Sequence, residues 1–141
     1  MNHFLLIFSL LIILSSSSKS QSISPNHARI IATVININPV LMPGDTSDPC
    51  HKAPCKAQLR IEKVLGIGQA FGNPKSVGDS IYVTFMFTTH ATTKDLFPVM
   101  KESYPGVKVG DKIQTDVESR VGMGGSGAVS YFVYGYKVLK K

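Results

Sequence analysis

The residues best suited to chemistry lie in one short segment, where two cysteines flank a histidine. Cys50 and Cys55 are the only cysteines of the chain, and His51 lies between them. In an exported protein, two cysteines this close together favour a local disulfide. The alternative is a metal-binding or enzymatic site in which both thiolates and His51 act as ligands, since cysteine and histidine are common zinc ligands. The sequence leaves both interpretations open, together with a third in which the two cysteines are free thiols.

A second candidate is Ser126, in the glycine-rich segment 122–127. Its surroundings approach the nucleophile-elbow pattern, but that elbow joins a strand to a helix, whereas this segment lies between two predicted strands. The histidines His27, His51 and His90 are scattered and do not fit a common metal motif. We therefore expect a non-enzymatic protein with no catalytic residues, no metal and no cofactor.

The first twenty residues predict export. Residues 4–14 are eleven in number and ten are apolar, which is too short for a membrane-spanning helix of roughly 20 residues. The run is typical of a signal peptide, and Ser18 and Ser20 supply the small side chains required before a cleavage site. We expect a signal peptide over residues 1–20, cleaved near Ser20/Gln21, and a secreted or periplasmic protein.

Composition limits the rest of the chain to one small domain. Residues 21–141 form a chain of 121 residues, and removing Lys19 with the signal reduces the formal charge from +6 to +5. This length suffices for a single core. No second long apolar segment follows, so we expect no transmembrane segment in the exported chain. The moderate positive charge suits anionic partners without indicating nucleic-acid binding.

The pattern of apolar residues predicts five strands. They cover residues 29–37, Lys56–Leu65, Ser80–Thr88, Lys112–Ser119 and Ser130–Leu139. Residues 21–28 are a flexible lead-in, and a short helix is predicted over residues 94–102, between the third and fourth strands. The resulting fold is an all-β domain over residues 29–139, a small OB-fold-like barrel.

Alternation also predicts which side chains face the core. In the second strand the inward set is Ala57, Leu59, Ile61, Lys63 and Leu65. In the fifth strand one face carries Phe132, Tyr134, Tyr136 and Val138, which favours the core over a sugar-stacking surface. Gly135 lies in the middle of that strand and predicts a β-bulge or a bend, which helps a sheet to close into a barrel.

Two segments resemble an exported OB-fold module. Residues 59–66, with the sequence Leu-Arg-Ile-Glu-Lys-Val-Leu-Gly, and the turn 77–79, with the sequence Val-Gly-Asp, are similar to the netrin-like or tissue-inhibitor-of-metalloproteinase-like module. The resemblance implies an exported barrel that binds a partner. Inhibitors of that family reach the catalytic zinc with an N-terminal cysteine. The chain predicted to start at Gln21 has no cysteine there, so the resemblance does not carry that activity over.

OB barrels bind ligands over their second and third strands and in the adjoining loops. The candidate ligand-binding residues are Lys56, Arg60, Tyr82, Met86 and Ser126. Basic groups beside an aromatic ring suit single-stranded nucleic acid, but export disfavours that partner, and an anionic glycan suits the same charges. We therefore expect a binding module for a protein or an anionic glycan. A third hypothesis is a structural component of an envelope assembly.

Overall fold

The computed structural model describes residues 21–123 and 127–140. Its elements are β1 (His27–Asn38), α1 (Pro49–Lys52), β2 (Lys56–Ile67), β3 (Ser80–Phe85), β4 (Lys112–Val121) and β5 (Val129–Leu139). The predicted signal peptide, residues 1–20, and Ser126 lie outside the described residues. Within the described part, no helix has the length and apolar character needed to cross a membrane.

The strands form a closed barrel in the order β1-β2-β3-β5-β4. All neighbours are antiparallel except β3 and β5, which run parallel over three residue pairs from Val83–Tyr131 to Phe85–Val133. The structure confirms the predicted fold, a small all-β barrel of the OB-fold-like kind. Closing the barrel pairs the strand edges that an open sheet would leave exposed.

Inward side chains of all five strands form the core. Those that are almost fully buried include Val34, Leu59, Phe85, Ile113 and Val133. Each such side chain stabilises the fold by roughly 1.5–3 kcal/mol through loss of apolar surface to water. Thr115 is a buried polar side chain, and its hydroxyl donates to the carbonyl oxygen of Gly135 at 2.7 Å, which satisfies it.

A β-bulge in β2 changes the face on which its later residues lie. Lys63 is paired with Ile31 of β1, and Ile61 is paired with the next residue of β1, so one residue of β2 is extra at this point. After the bulge, Val64 packs against the core whereas Leu65 is exposed. The prediction that Lys63 and Leu65 share the inward face was therefore wrong, because it assumed unbroken alternation.

Another bulge lies in β5. The register of β4 and β5 shifts between Thr115 and Val117, at the level of Gly135, so of the predicted bulge or bend the structure has the bulge. A side chain at Gly135 would meet Tyr104, because a Cβ built there lies 2.6 Å from the Tyr104 hydroxyl oxygen. Glycine at this position thus allows the bulge to pack closely against the segment between β3 and β4.

The bulge also reverses the faces of β5. Before it, Tyr131 and Val133 are buried, whereas Phe132 and Tyr134 are only partly covered. The guanidinium group of Arg120 lies over both of these rings, 4.5 Å from the ring centre of Phe132 and 5.8 Å from that of Tyr134. The prediction that Phe132 and Tyr134 share one face with the residues after Gly135 was wrong for this reason.

The segment between β3 and β4 forms turns instead of the predicted helix over residues 94–102. The Phe97 amide donates to the carbonyl oxygen of Thr93 at 2.8 Å, which makes one helical turn. Pro98 follows and has no N–H to continue the series. The short α-helix of the described residues lies elsewhere: it is α1, where Asp48 caps the first turn by accepting from the Cys50 amide at 2.8 Å.

Stacked aromatic rings attach this segment to the barrel. Tyr104 lies between Phe87 and Tyr136, with ring centres 5.7 Å and 5.0 Å apart. Tyr136 in turn meets the buried Phe85 edge-on at 5.6 Å. Rings at these separations attract each other beyond simple burial, so Tyr104 is held in position by two neighbours.

Candidate ligand-binding cleft

The cysteine loop is closed by a disulfide. Cys50 and Cys55 are bonded to each other with their Cα atoms 5.4 Å apart, and both residues are buried. This confirms the predicted disulfide. The bonded sulfur atoms are not available as the thiolates that the metal interpretation needs. Within residues 21–123 and 127–140, no three histidine, cysteine or acidic side chains are grouped to hold a metal ion.

Lys56, which directly follows the bonded loop, lines an open cleft on the outer surface of the barrel, with a volume of about 440 Å³. We call this the β2–β3 cleft. It is lined by the end of β1, the start of β2, β3 and the start of β5. Its polar lining residues are Asn36, Asn38, Lys56, Gln58, Tyr82, Thr84 and Ser130.

Strand register brings these side chains together. Two rows cross β1, β2 and β3 in turn, namely Asn36–Gln58–Tyr82 and Asn38–Lys56–Thr84. Neighbouring strands lie about 4.8 Å apart, so each row spans roughly 10 Å between its outer Cα atoms. The cleft is therefore a platform built on paired strands.

Tyr82 is the most exposed ring of the cleft. It lies in the middle of β3 and is 74% exposed, whereas its strand neighbours Ile81 and Val83 are buried in the core. Its hydroxyl group has no hydrogen-bond partner among the described residues. The anchored strand positions a flat, accessible aromatic surface beside the amide groups of the cleft.

The charges of the cleft are one-sided. Lys56 is exposed and forms no ion pair with any described residue, and no described carboxylate lines the cleft. Arg60, two residues along the same strand, is paired with Glu62 at 3.5 Å. A hydrogen bond from the Thr33 hydroxyl holds the pKa of Glu62 below its usual value, so Glu62 stays charged and balances Arg60. Lys56 is therefore the uncompensated cation of the cleft.

The structure places the predicted site residues in different surroundings. Lys56 and Tyr82 both line the cleft, and Arg60 lies one row away, opposite Ser80. Met86 lies beyond the end of β3, half-buried, with its amide donating to the carbonyl oxygen of Val133 at 2.9 Å. Met86 does not line the cleft.

Sequence reasoning missed the asparagines of β1. The predicted first strand ended at residue 37, but β1 continues to Asn38, so that Asn36 and Asn38 both reach β2. The alternation Asn36-Ile37-Asn38 was a signal that could have extended the strand. Ser130 was also missed, because its position beside β3 depends on the parallel pairing with β5.

Comparison of the chain with protein-family models, with curated proteins and with solved structures finds no match.

Proposed function

We propose that the protein is an exported, non-enzymatic binding module that takes an anionic glycan in the β2–β3 cleft. The observation that carries the proposal is the composition of the cleft: an exposed ring, amide and hydroxyl groups, and an uncompensated lysine on one surface of paired strands. Polar groups placed on a preformed surface fix a ligand's orientation. Placing such a site on paired strands also lowers the ordering cost of binding.

The neutral polar groups suit sugar hydroxyls. The side chains of Asn36, Gln58 and Thr84 have no hydrogen-bond partner within the described part of the chain. Each amide offers both donors and an acceptor, which matches a hydroxyl that donates and accepts. Tyr82 adds an apolar ring face against which the C–H face of a pyranose can pack. These features favour a sugar over a fully apolar ligand.

The charge distribution selects an anionic sugar. Lys56 offers an ammonium group to a sulfate or carboxylate, and within the described residues no acidic side chain lines the cleft to oppose it. Charge complementarity of this kind increases the association rate and discriminates against wrong partners. A neutral oligosaccharide would retain the contacts with Tyr82 but would lose the electrostatic attraction to Lys56.

Export is part of the proposal. The disulfide between Cys50 and Cys55 is compatible with a non-cytoplasmic location, and the apolar run at residues 4–14 supports a cleaved signal. N-terminal sequencing of the secreted product should begin at Gln21 or a near neighbour. A product that still begins at Met1 would contradict a cleaved signal.

The cleft is tested by calorimetry with sulfated and neutral oligosaccharides of equal length. We expect the sulfated series to bind more tightly, and Lys56→Gln to remove most of that difference. Lys63→Gln is the matched control, because Lys63 is also an exposed lysine of β2 but does not line the cleft. Tyr82→Ala should lower the affinity for both series, because the sugar of each packs against the Tyr82 ring.

Two results would refute the proposal. Equal binding of the sulfated and neutral series would show that charge is not recognised. No binding to either series, with a protein ligand whose affinity depends on Tyr82, would make the cleft a protein interface. Circular dichroism of each variant shows whether the barrel is intact, which separates lost binding from lost folding.

A further inference from the structure

A second surface lies on the opposite edge of β1. On that edge, β1 pairs with β4 only as far as Thr33 opposite Lys112. Val34 is then bound by the turn before β4, through its amide to Asp111 at 2.9 Å and its carbonyl to Gly110 at 2.7 Å. Beyond Val34, no described residue pairs with β1 on this side. The last four residues of β1 therefore extend past β4 with one free edge.

A groove of about 710 Å³ meets this free edge at Ile37, the one residue of β1 in its described lining. We call it the β1-edge groove. Its apolar lining includes Ile37, Leu96, Val107 and Val109. The charged or titratable side chains that line it are His90 and Lys108, and within the described residues it contains no carboxylate.

The far wall of the groove is already in place. The amide and hydroxyl of Thr89 both donate to the carbonyl oxygen of Pro54, at 2.8 Å and 2.9 Å, and the Val107 amide donates to Thr89 at 2.8 Å. Thr88 is fully buried with φ +60°, a conformation that is unfavourable for a β-branched residue and persists only where the surroundings impose it. The wall is thus tied to the disulfide loop before any ligand arrives.

From these observations we propose that the β1-edge groove binds an extended peptide segment of a partner protein, which adds as a strand to Ile35–Asn38. Unpaired strand edges bind peptides through main-chain hydrogen bonds, and adjoining pockets select the side chains. Ile37 and Val107 would receive an apolar side chain, and Lys108 would attract an acidic one. Four residues of strand span about 13 Å, so the recognised segment is short. The proposal does not depend on glycan binding, because the groove shares only Ile37 with the cleft.

The probe is a dodecapeptide selected from a random displayed library on the purified protein, with its affinity measured by fluorescence anisotropy. We expect selected peptides to carry a β-branched or apolar residue near an acidic one. Lys108→Glu should weaken binding roughly fivefold, as expected for reversal of one exposed charge pair. Lys63→Glu, which makes the same change on the exposed face of β2 outside the groove, should leave the affinity unchanged, and so should Tyr82→Ala.

Strand addition makes a sharper prediction than peptide binding alone. In an added strand, every second main-chain amide of the peptide points toward the β1 edge. N-methylation of those amides should remove the donors and lower the affinity at least tenfold, whereas N-methylation of the intervening amides should have little effect. Hydrogen exchange should slow at Ile35–Asn38 in the complex. Peptides that protect β3 instead, peptides indifferent to N-methylation, or no binder tighter than about 100 μM would overturn the proposal. Dimerisation of the protein through this edge, seen by light scattering and abolished by Lys108→Glu, would replace the partner with a second copy and overturn it as well.

Discussion

Replacing Gly135 by alanine tests how the β5 bulge packs. A Cβ at this position would lie 2.6 Å from the Tyr104 hydroxyl oxygen and 3.3 Å from its Cζ atom. Tyr104 has little room to move, because it is stacked between Phe87 and Tyr136. In a strand without this contact, the same change would stabilise the protein by about 0.5–1 kcal/mol, since glycine loses more backbone entropy on folding. The sign of the effect therefore depends on the contact.

Forcing extra atoms into a packed site costs roughly 1–3 kcal/mol. Combining the two terms, we expect Gly135→Ala to lower the free energy of unfolding by about 1–2 kcal/mol. Tyr104→Phe removes the nearest atom and leaves Cζ at 3.3 Å, so alanine should be close to neutral in that background. Tyr104→Phe alone loses a long hydrogen bond to Glu102 at 3.3 Å on the surface, which costs about 0.5 kcal/mol.

Urea unfolding of the four proteins in this cycle, followed by far-ultraviolet circular dichroism, gives the coupling energy between the two sites. We expect about 1–2 kcal/mol, with equal m-values showing that the unfolded states are alike. Gly135→Ala at or above wild-type stability would refute the close contact. If Gly135→Ala lowered the free energy of unfolding equally in the wild-type and Tyr104→Phe backgrounds, its cost would arise elsewhere in the bulge.

Three further changes test the core, the disulfide and the acid response. Leu59→Ala at a fully buried site should cost about 3 kcal/mol by urea unfolding, and a loss below 1 kcal/mol would contradict its burial. Replacing Cys50 and Cys55 together by alanine opens a loop whose ends are 5 residues apart and should lower the free energy of unfolding by about 2 kcal/mol. If reduction of the wild-type disulfide left the stability unchanged, this expectation would be wrong. Hydrogen bonding from Arg120 keeps the pKa of Glu118 in the folded protein below its ordinary 4.5. The contribution of the Glu118 carboxylate to stability is therefore complete above that pH, and it is lost as the pH falls through the lower pKa of the folded state. Glu118→Gln should flatten this acid loss, and an unchanged slope would refute the assignment.

The positions of the strands could be predicted because the alternation of apolar and polar residues is visible within each strand segment by itself. All five predicted strands overlap the observed ones, and β2, β3 and β4 begin at the predicted residues. The faces beyond the bulges could not be predicted in the same way. A bulge such as that at Glu62 is defined by the pairing with β1, and nothing in the alternation of β2 itself marks it.

The predicted helix failed for a different reason. The segment around Pro98 has a capping threonine and one helical hydrogen bond from Phe97 to Thr93, so the local signal was real but short. Packing of Phe87 against Phe97 and Tyr104 then determines the course of the chain. Tertiary contacts between rings override weak helix propensity, and those contacts are visible only once the barrel has formed.

The candidate sites show the same division between local and long-range information. Tyr82 and Lys56 could be selected from sequence because each lies on the outward phase of a clearly alternating strand. The β1-edge groove could not, since it requires knowing that β4 pairs with β1 only up to Thr33. The length of β1 can be predicted from one segment of sequence, whereas its overhang, the part of β1 that extends past the end of β4, depends on how two strands pair.

That overhang connects the two proposed surfaces. Past Val34, one edge of β1 still pairs with β2 and carries Asn36 and Asn38 into the cleft, while the other edge is unpaired. Ile37 lines both the cleft and the groove, so any ligand that orders this segment contacts a residue shared by the other site. Ordering a segment once lowers the entropic cost of a second binding event there. We therefore expect glycan and peptide to bind with positive cooperativity: the Kd of the selected peptide should fall when the sulfated oligosaccharide is saturating, and an unchanged Kd would refute the coupling.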